Sequence, residues 1–304
     1  MAPIDPQLPL EIFVRESSRS ASVTSRSGRR GRSSRGPGLL DVGSIVDKYR
    51  IEELLGTGGF AAVYRATHML LDMPVAIKHL RPEVLARHPE VAADLLEEAR
   101  LAARIHHPSV VRIYDVAQTP TLSYIVMEFI DGETLGRAIE RRRRLPVDEV
   151  VRIGLDIAAG LDAARERGLV HRDVKPANIL LSRSGAACIV DLGLARVASV
   201  PASADRARGA VVGTRGYVSP EQLRDPSRVD FRADMYSLGV TLREALKGRG
   251  TNAERPLPSS AQPLMSVLSR MVAPAPEDRP RTYQDVIVAL REAGRLHGEV
   301  EHGA

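Results

Sequence analysis

Cysteine is almost missing from this sequence. Cys188 is the single one among 304 residues, which excludes an internal disulfide framework and fits a reducing compartment, with the cytoplasm as the expectation. It lies in the apolar run Ala186-Ala187-Cys188-Ile189-Val190, where a small buried strand residue is expected and not a reactive thiol. Long apolar runs are missing too: no stretch reaches the roughly eighteen residues a membrane-crossing helix needs, so no transmembrane segment is expected. The first residues lack a basic region followed by an apolar stretch, so no signal peptide is expected. Most of the chain also lacks an excess of either charge. The net charge is +5, but residues 15–36 hold seven Arg and one Glu, a surplus of +6, and residues 1–14 carry −2. Everything from Pro37 onward is left near neutral at +1. The pI of 9.6 therefore reflects a tail, and no specific nucleic-acid binding is expected of the folded part.

What is present is an ordinary globular composition, 43% hydrophobic and 27% charged, long enough for two lobes with their own cores. Residues 1–43 are expected to be a disordered Arg/Ser-rich tail, since Ser17 to Arg35 holds too few apolar groups to offset chain entropy. The tail is either a solvated linker or an electrostatic arm for acidic partners. From Tyr49 the pattern changes. Strands are expected at Tyr49–Leu55, Ala62–Ala66, Val75–Leu80, Val110–Val116 and Leu122–Met127, with an amphipathic helix from Pro89 to Ile105. Beyond Gly132 the pattern turns helical: Val147–Arg167, 234–247, Pro263–Met271 and Tyr283–Leu296. The expected fold class is α+β, a small antiparallel β lobe of five strands and one helix over 44–131, then a larger mainly α lobe over 132–298. Residues 131–133 form the hinge and 299–304 a short tail.

Three clusters carry chemistry. Gly56-Thr57-Gly58-Gly59-Phe60-Ala61-Ala62-Val63 lies between two strands, where glycines let backbone N–H groups approach phosphate oxygens. By itself it is equally a bare hairpin turn. A strand and not a helix follows it, and no Gly-Lys-Ser/Thr occurs, so neither a dinucleotide fingerprint nor a GTPase phosphate loop fits. Lys78 sits in Val75-Ala76-Ile77-Lys78, costly among apolar neighbours unless it meets an anion. Glu98 on the following helix is the favoured partner over Glu97. The third cluster is His171-Arg172-Asp173-Val174-Lys175-Pro176-Ala177-Asn178-Ile179-Leu180-Leu181, followed by Asp191-Leu192-Gly193. It supplies a base, a cation and two oxygen ligands, the set phosphoryl transfer needs for positioning, Mg²⁺ and orientation of the attacking hydroxyl.

Together these motifs resemble the eukaryotic-like Ser/Thr protein kinases of bacteria, in that family's order, from about Tyr49 to Leu296. The resemblance implies the two-lobed kinase fold with ATP and Mg²⁺ in the cleft. It makes Asp173 the catalytic base, Lys175 the residue that steadies the transferring phosphate, and Asn178 and Asp191 the metal ligands. Lys78 and Glu98 would form an ion pair at the phosphates. Gly56 and Gly58, with the neighbouring Leu55, Thr57 and Gly59, would cover the nucleotide. Val63, Ala76 and Leu180 would sandwich adenine, Met127 would be the gatekeeper, and Glu128 and Ile130 would offer backbone groups. The resemblance also implies that Ser or Thr of protein substrates is the acceptor, because Lys175 stands where Ser/Thr kinases carry lysine. Glu221 would lock to Arg279, Asp234 would brace the catalytic loop, and input would come through a regulator protein. The rival is a pseudokinase scaffold that binds nucleotide without turnover.

The sequence departs from the family pattern at four places. Ala61 replaces the third loop glycine and Leu192 replaces the Phe of Asp-Phe-Gly. The segment Leu194–Val212 offers Ser199 and Ser203 but no Thr as the phosphorylation site that Arg172 implies. Residues 248–262 have no apolar face, so the helix the family uses for docking is expected to be missing or reduced. The run Arg141–Arg144 ends a helix, where cations complement the dipole; it is read as a solvated basic end, with a docking patch as the alternative.

Overall fold

The computed structural model describes residues 11–12, 38–58, 61–87, 96–97, 99–118, 122–192, 216–249 and 256–302. The small lobe is an all-antiparallel sheet of seven strands in the order β1-β3-β4-β5-β7-β6, with β2 also on β3. The strands are β1 Glu11–Ile12, β2 Ile45–Val46, β3 Tyr49–Thr57, β4 Ala61–His68, β5 Met73–Leu80, β6 Ile113–Gln118 and β7 Ser123–Glu128. The five expected strands are present. Of the two extra ones, β1 comes from the segment expected to be structureless and β2 from just beyond it. Glu11 and Ile12 pair with Thr57 and Gly56, and Ile45 and Val46 pair with Arg50 and Tyr49. Leu39 and Leu40 pack on the outer face of the sheet, and the Leu40 N–H donates to the Tyr64 hydroxyl at 2.9 Å. Short apolar pieces flanking the Arg/Ser stretch find a sheet edge and face that composition alone does not reveal. The remainder of residues 1–37 lies outside the described residues.

Strand alternation divides the sheet into two faces. Val75 and Ile77 join Tyr64, Tyr124 and Val126 in the outer core. Ala76 and Lys78 therefore face the opposite side, toward the large lobe. The short helix α1 spans Pro82–Arg87. Residues 96–97 and 99–102 are helical, and the chain then tightens into turns, with the Ile105 N–H on the Ala102 carbonyl at 3.0 Å. The start of the expected Pro89–Ile105 helix lies outside the described residues.

In the large lobe α2 is Leu135–Arg142, α3 Val147–Glu166, α4 Pro220–Arg224, α5 Phe231–Lys247, α6 Gln262–Met271 and α7 Tyr283–His302. Asp148 and Glu149 open α3, where carboxylates complement the dipole. Its stripe Val150, Ile153, Ile157 and Leu161 is at most 2% exposed and forms the axis of the large core, against Met235, Leu238 and Leu242 of α5 and Leu290 of α7. A three-stranded sheet, β10 Ala187–Ile189, β9 Ile179–Ser182 and β8 Gly132–Thr134, joins hinge to catalytic loop; the sequence pattern did not separate it from the helical lobe. Within 248–262 the described residues contain one 3-10 turn, Ser259–Ala261; residues 250–255 lie outside them.

The β8–β9 contact is unusually close. A Cβ on Gly132 would stand 1.9 Å from the Leu181 carbonyl oxygen, a backbone atom that cannot rotate away. Gly132→Ala is expected to lose about 1–3 kcal/mol, read as a fall in the urea midpoint. Gly298→Ala, whose Cβ would meet open space on α7, should be neutral or stabilising by up to about 1 kcal/mol. Equal effects would refute the close-approach explanation.

Candidate active site

The lobes meet along residues 109–111. Val110 bridges Ile189 in parallel, the Ile189 N–H donates to the Ser109 carbonyl at 2.9 Å, and the Val111 N–H donates to the Ile189 carbonyl at 3.1 Å. β10 is thereby fixed against the small lobe, and Asp191, just past its end, is delivered to Lys78. The Lys78 Nζ stands 2.8 Å from Asp191 Oδ1, with side chains 7% and 14% exposed. This answers the lysine's need for an anion. Glu98, the partner expected from sequence, lies outside the described residues, as do Gly59, Gly193, Ser199 and Ser203.

The catalytic loop forms a connected set. The Lys175 Nζ is 2.7 Å from Asp173 Oδ2. The Asn178 amide nitrogen donates to the same Oδ2 at 2.9 Å and to the Asp173 carbonyl at 2.8 Å. That commits the nitrogen and leaves the side-chain oxygen of Asn178 as the atom available to a cation. The Val190 N–H donates to the Asn178 backbone carbonyl at 3.0 Å, which ties the loop to Asp191. Asp173, Lys175, Asn178, Asp191 and Lys78 thus share one cleft.

The loop is held in a strained form. Arg172 and Asp191 have φ of +66° and +61°, in the left-handed region that costs a residue with a Cβ. Asp234, near the start of α5, offsets this by accepting the N–H groups of His171 and Arg172, each at 2.6 Å. Burial raises the Asp234 carboxyl pKa while these contacts pull it down. His171, fully buried, is a bracing residue for which the sequence reading offered no role. The Asp173 N–H donates to its Nδ1 at 3.2 Å, so the ring proton sits on Nε2, which donates to the Val190 carbonyl at 2.9 Å. The Gln222 amide adds a bond to the Arg172 carbonyl at 2.9 Å. The signal for His171 was its place in the His-Arg-Asp motif; Gln222 had none.

Apolar side chains of both lobes meet beside these polar groups. Leu55, Val63 and Ala76 form one cluster and Val111, Leu180, Cys188 and Val190 another, and Met127 touches both. Register explains the upper wall: Gly56 pairs with Val63, Val63 with Lys78 and Ala76 with Met127. The hinge follows at Glu128, whose N–H is spent on the Arg112 carbonyl at 2.9 Å; its own carbonyl and the Ile130 backbone are the hinge groups left to consider. Thr57 ends β3, and the Gly58 N–H closes a turn onto the Ala61 carbonyl at 2.8 Å, so this amide is turned to the loop itself. Cys188 is a thiol at neutral pH: burial pushes its pKa up to about 11, and its Sγ donates to the Pro108 carbonyl at 3.1 Å.

The remaining expected contacts are structural. Arg279, its side chain 0% exposed, forms a bidentate pair with Glu221 at 2.7 and 2.8 Å. Among the described residues no group of three His, Cys, Asp or Glu side chains could hold a metal, and no helix is long and apolar enough to cross a membrane.

Comparison with known proteins agrees with this geometry. The protein kinase domain family matches residues 49–286. Serine/threonine-protein kinase PknB of Mycobacterium leprae is 40% identical over 208 residues, 67% of this chain and 33% of that protein. PknB of Mycobacterium tuberculosis is 37% identical over 276 residues, 83% of this chain and 43% of that protein. The chain therefore spans less than half the length of these curated relatives. Among solved structures, a point mutant of the Mycobacterium tuberculosis PknI kinase domain matches with a TM-score of 0.65 and 30% identity, covering 84% of this chain and 99% of that one.

Proposed function

This chain belongs to the protein kinase domain family, and from that membership we propose that it transfers the γ-phosphoryl group of ATP to Ser or Thr hydroxyls of protein substrates. The observation that carries the reading is the convergence of Lys78, Asp173, Lys175, Asn178 and Asp191, linked by contacts of 2.7 to 3.0 Å. Phosphoryl transfer asks little covalent chemistry of a protein and much positioning and charge compensation, and this set supplies both.

In this reading Asp173 accepts the hydrogen bond of the incoming hydroxyl and later its proton. Its Oδ2 is already oriented by Lys175 and Asn178, which leaves Oδ1 for the substrate. Lys175 offsets negative charge on the transferring group. Lys78 receives phosphate oxygens of the nucleotide. Asp191 and the Asn178 side-chain oxygen are hard ligands suited to Mg²⁺, which needs few protein ligands beside phosphate oxygens. When bound, Mg²⁺ supplies charge neutralisation at the phosphates. Leu55, Val63 and Ala76 above and Leu180 below would enclose adenine, with Met127 at the back and the Glu128 carbonyl and Ile130 backbone on its polar edge. Gly56 and Thr57 bring β3 backbone over the phosphates; Gly58 would have to open its turn to add its amide. Acceptance of Ser and Thr is supported by Lys175 and by the similarity to serine/threonine-protein kinases. Control through a regulator protein, and the two-lobe boundaries outlined from sequence, belong to the same proposal.

The test is phosphate incorporation from radiolabelled ATP and Mg²⁺ into an unfolded acceptor protein, with Asp173→Asn as control. Incorporation by the wild type and its loss in the variant support the enzyme. Nucleotide binding without incorporation under any condition supports the scaffold.

A further inference from the structure

α5 carries polar groups on one face, spaced at three and seven residues: Asp234, Ser237 and Glu244. Asp234 holds the catalytic loop, as described above. The Ser237 Oγ donates to the Tyr217 carbonyl at 2.7 Å, and the Tyr217 hydroxyl donates to Glu244 Oε2. One helix thus grips both the catalytic loop and the segment that runs from Gly216 into α4. Burial first, and then the Glu244 carboxylate, push the Tyr217 pKa far above its ordinary value, so the hydroxyl remains a donor at any physiological pH.

The network closes just beyond the helix. Gly248 has φ +82°, a conformation that glycine adopts without Cβ strain, and its N–H donates to the Glu244 carbonyl at 2.7 Å. The chain is turned back there, and Arg249 folds across the helix end. Its Nε donates to Glu244 Oε1 and its Nη1 to Glu140 of α2 at 2.8 Å. Glu244 is 15% exposed and Glu140 64%, so the inner contact carries most of the effect.

We propose that Arg249 is a positioning residue for the protein substrate. Where the sequence lacks the apolar face of a docking helix, this guanidinium ties α2, α5 and the Tyr217 segment into one surface beside the catalytic loop, on which the acceptor segment lies. The proposal rests on the kinase reading. It follows from the local order Lys247-Gly248-Arg249: a helix end, a residue free to turn, and a two-armed cation that satisfies two carboxylates at once. Without the guanidinium, Glu244 keeps a half-buried charge with Tyr217 as its remaining partner, and the segment loses its outer tie.

The test uses the full chain as wild type, Arg249→Ala and Arg249→Lys, with radiolabelled ATP and an uncharged serine peptide that neither form attracts electrostatically. Arg249→Ala should raise the peptide KM about five- to tenfold and leave the ATP KM unchanged. Arg249→Lys, which can reach one carboxylate, should recover part of the loss. Backbone amides at 216–223 should exchange hydrogen faster in Arg249→Ala, with 171–178 unaltered. A wild type that is inert with Mg²⁺, ATP and every acceptor overturns the kinase reading and this proposal with it. An active wild type whose Arg249→Ala form keeps both its peptide KM and its exchange at 216–223 overturns this proposal alone.

Discussion

Replacing Asp173 by asparagine will lower the rate of phosphoryl transfer by about 10²–10⁴ while nucleotide still binds. The substitution preserves shape and removes the one group placed to accept a proton from the attacking hydroxyl. Asp173 Oδ2 is held from two sides, by Lys175 at 2.7 Å and by Asn178 at 2.9 Å, so an amide there would keep the loop's position. The lysine would lose its carboxylate partner, but the Lys78–Asp191 pair proposed for the nucleotide makes no ion pair with Asp173. The effect should therefore fall on kcat and spare the nucleotide Kd, a split measured by initial rates beside fluorescence titration with a labelled ATP analogue. An unchanged rate in Asp173→Asn would remove this residue from the chemistry. Loss of nucleotide binding together with rate would mean that the loop had collapsed, and that Asp173 acts on structure.

The second large effect is on stability. Arg279→Ala is expected to cost about 3–5 kcal/mol, the range for breaking a buried pair by removing one partner. Besides Glu221, the guanidinium donates to the carbonyls of Ala273 and Arg232 at 2.8 Å and of Pro274 at 3.2 Å. It also lies 4.9 Å from the Tyr236 ring centroid. Its loss orphans a carboxylate and three carbonyls in the wall between α4, α5 and the turn before α7. Lysine cannot replace it, because no ammonium spans two carboxylate oxygens and three carbonyls. Urea unfolding of wild type and variant measures the difference; a change under about 1 kcal/mol would deny the pair its structural role.

The same pair has a pH signature. Burial alone would raise the Glu221 carboxyl pKa, but the Arg279 hydrogen bonds prevail and hold it below its ordinary 4.5. A depressed folded value means that the unfolded chain binds more protons, so the contribution is complete above pH 4.5 and is lost as pH falls through the folded value. Arg279→Ala should flatten the acid limb of the stability curve in that window. A variant whose acid slope matches the wild type would contradict the pairing energetics.

Much of the fold was legible in the sequence because its signals are local. The apolar stripe Val150, Ile153, Ile157 and Leu161 repeats at helical spacing and lies on the axis of the large core. The run Val75-Ala76-Ile77-Lys78 is a strand with one face in the outer core and the other toward the cleft. Helix ends were less legible: the helix expected from residue 234 begins at Phe231 behind the Asp230 cap, and α4, capped by the Ser219 side chain, had no counterpart among the expected helices. The strands outside the predicted set were not legible. β1 and β2 are two residues each, too short for periodicity, and they exist because β3 offers an open edge. β8 packs on β9 through Gly132, whose missing side chain matters only once the Leu181 carbonyl lies against it.

For the candidate site, the sequence by itself determined the inventory: which cation, which carboxylates and which amide, in the order that phosphoryl transfer needs. Charge type, side-chain length and motif spacing are properties of the chain, so they could be read without coordinates. Only the tertiary structure decided the pairings. It joined Lys78 to Asp191, set His171 behind the loop beside Asp234, whose bracing role the resemblance had implied, and turned Arg249 back onto Glu244 and Glu140. Most of these contacts join positions far apart in the chain, and their geometry depends on how the two lobes and their helices pack, which no local pattern encodes.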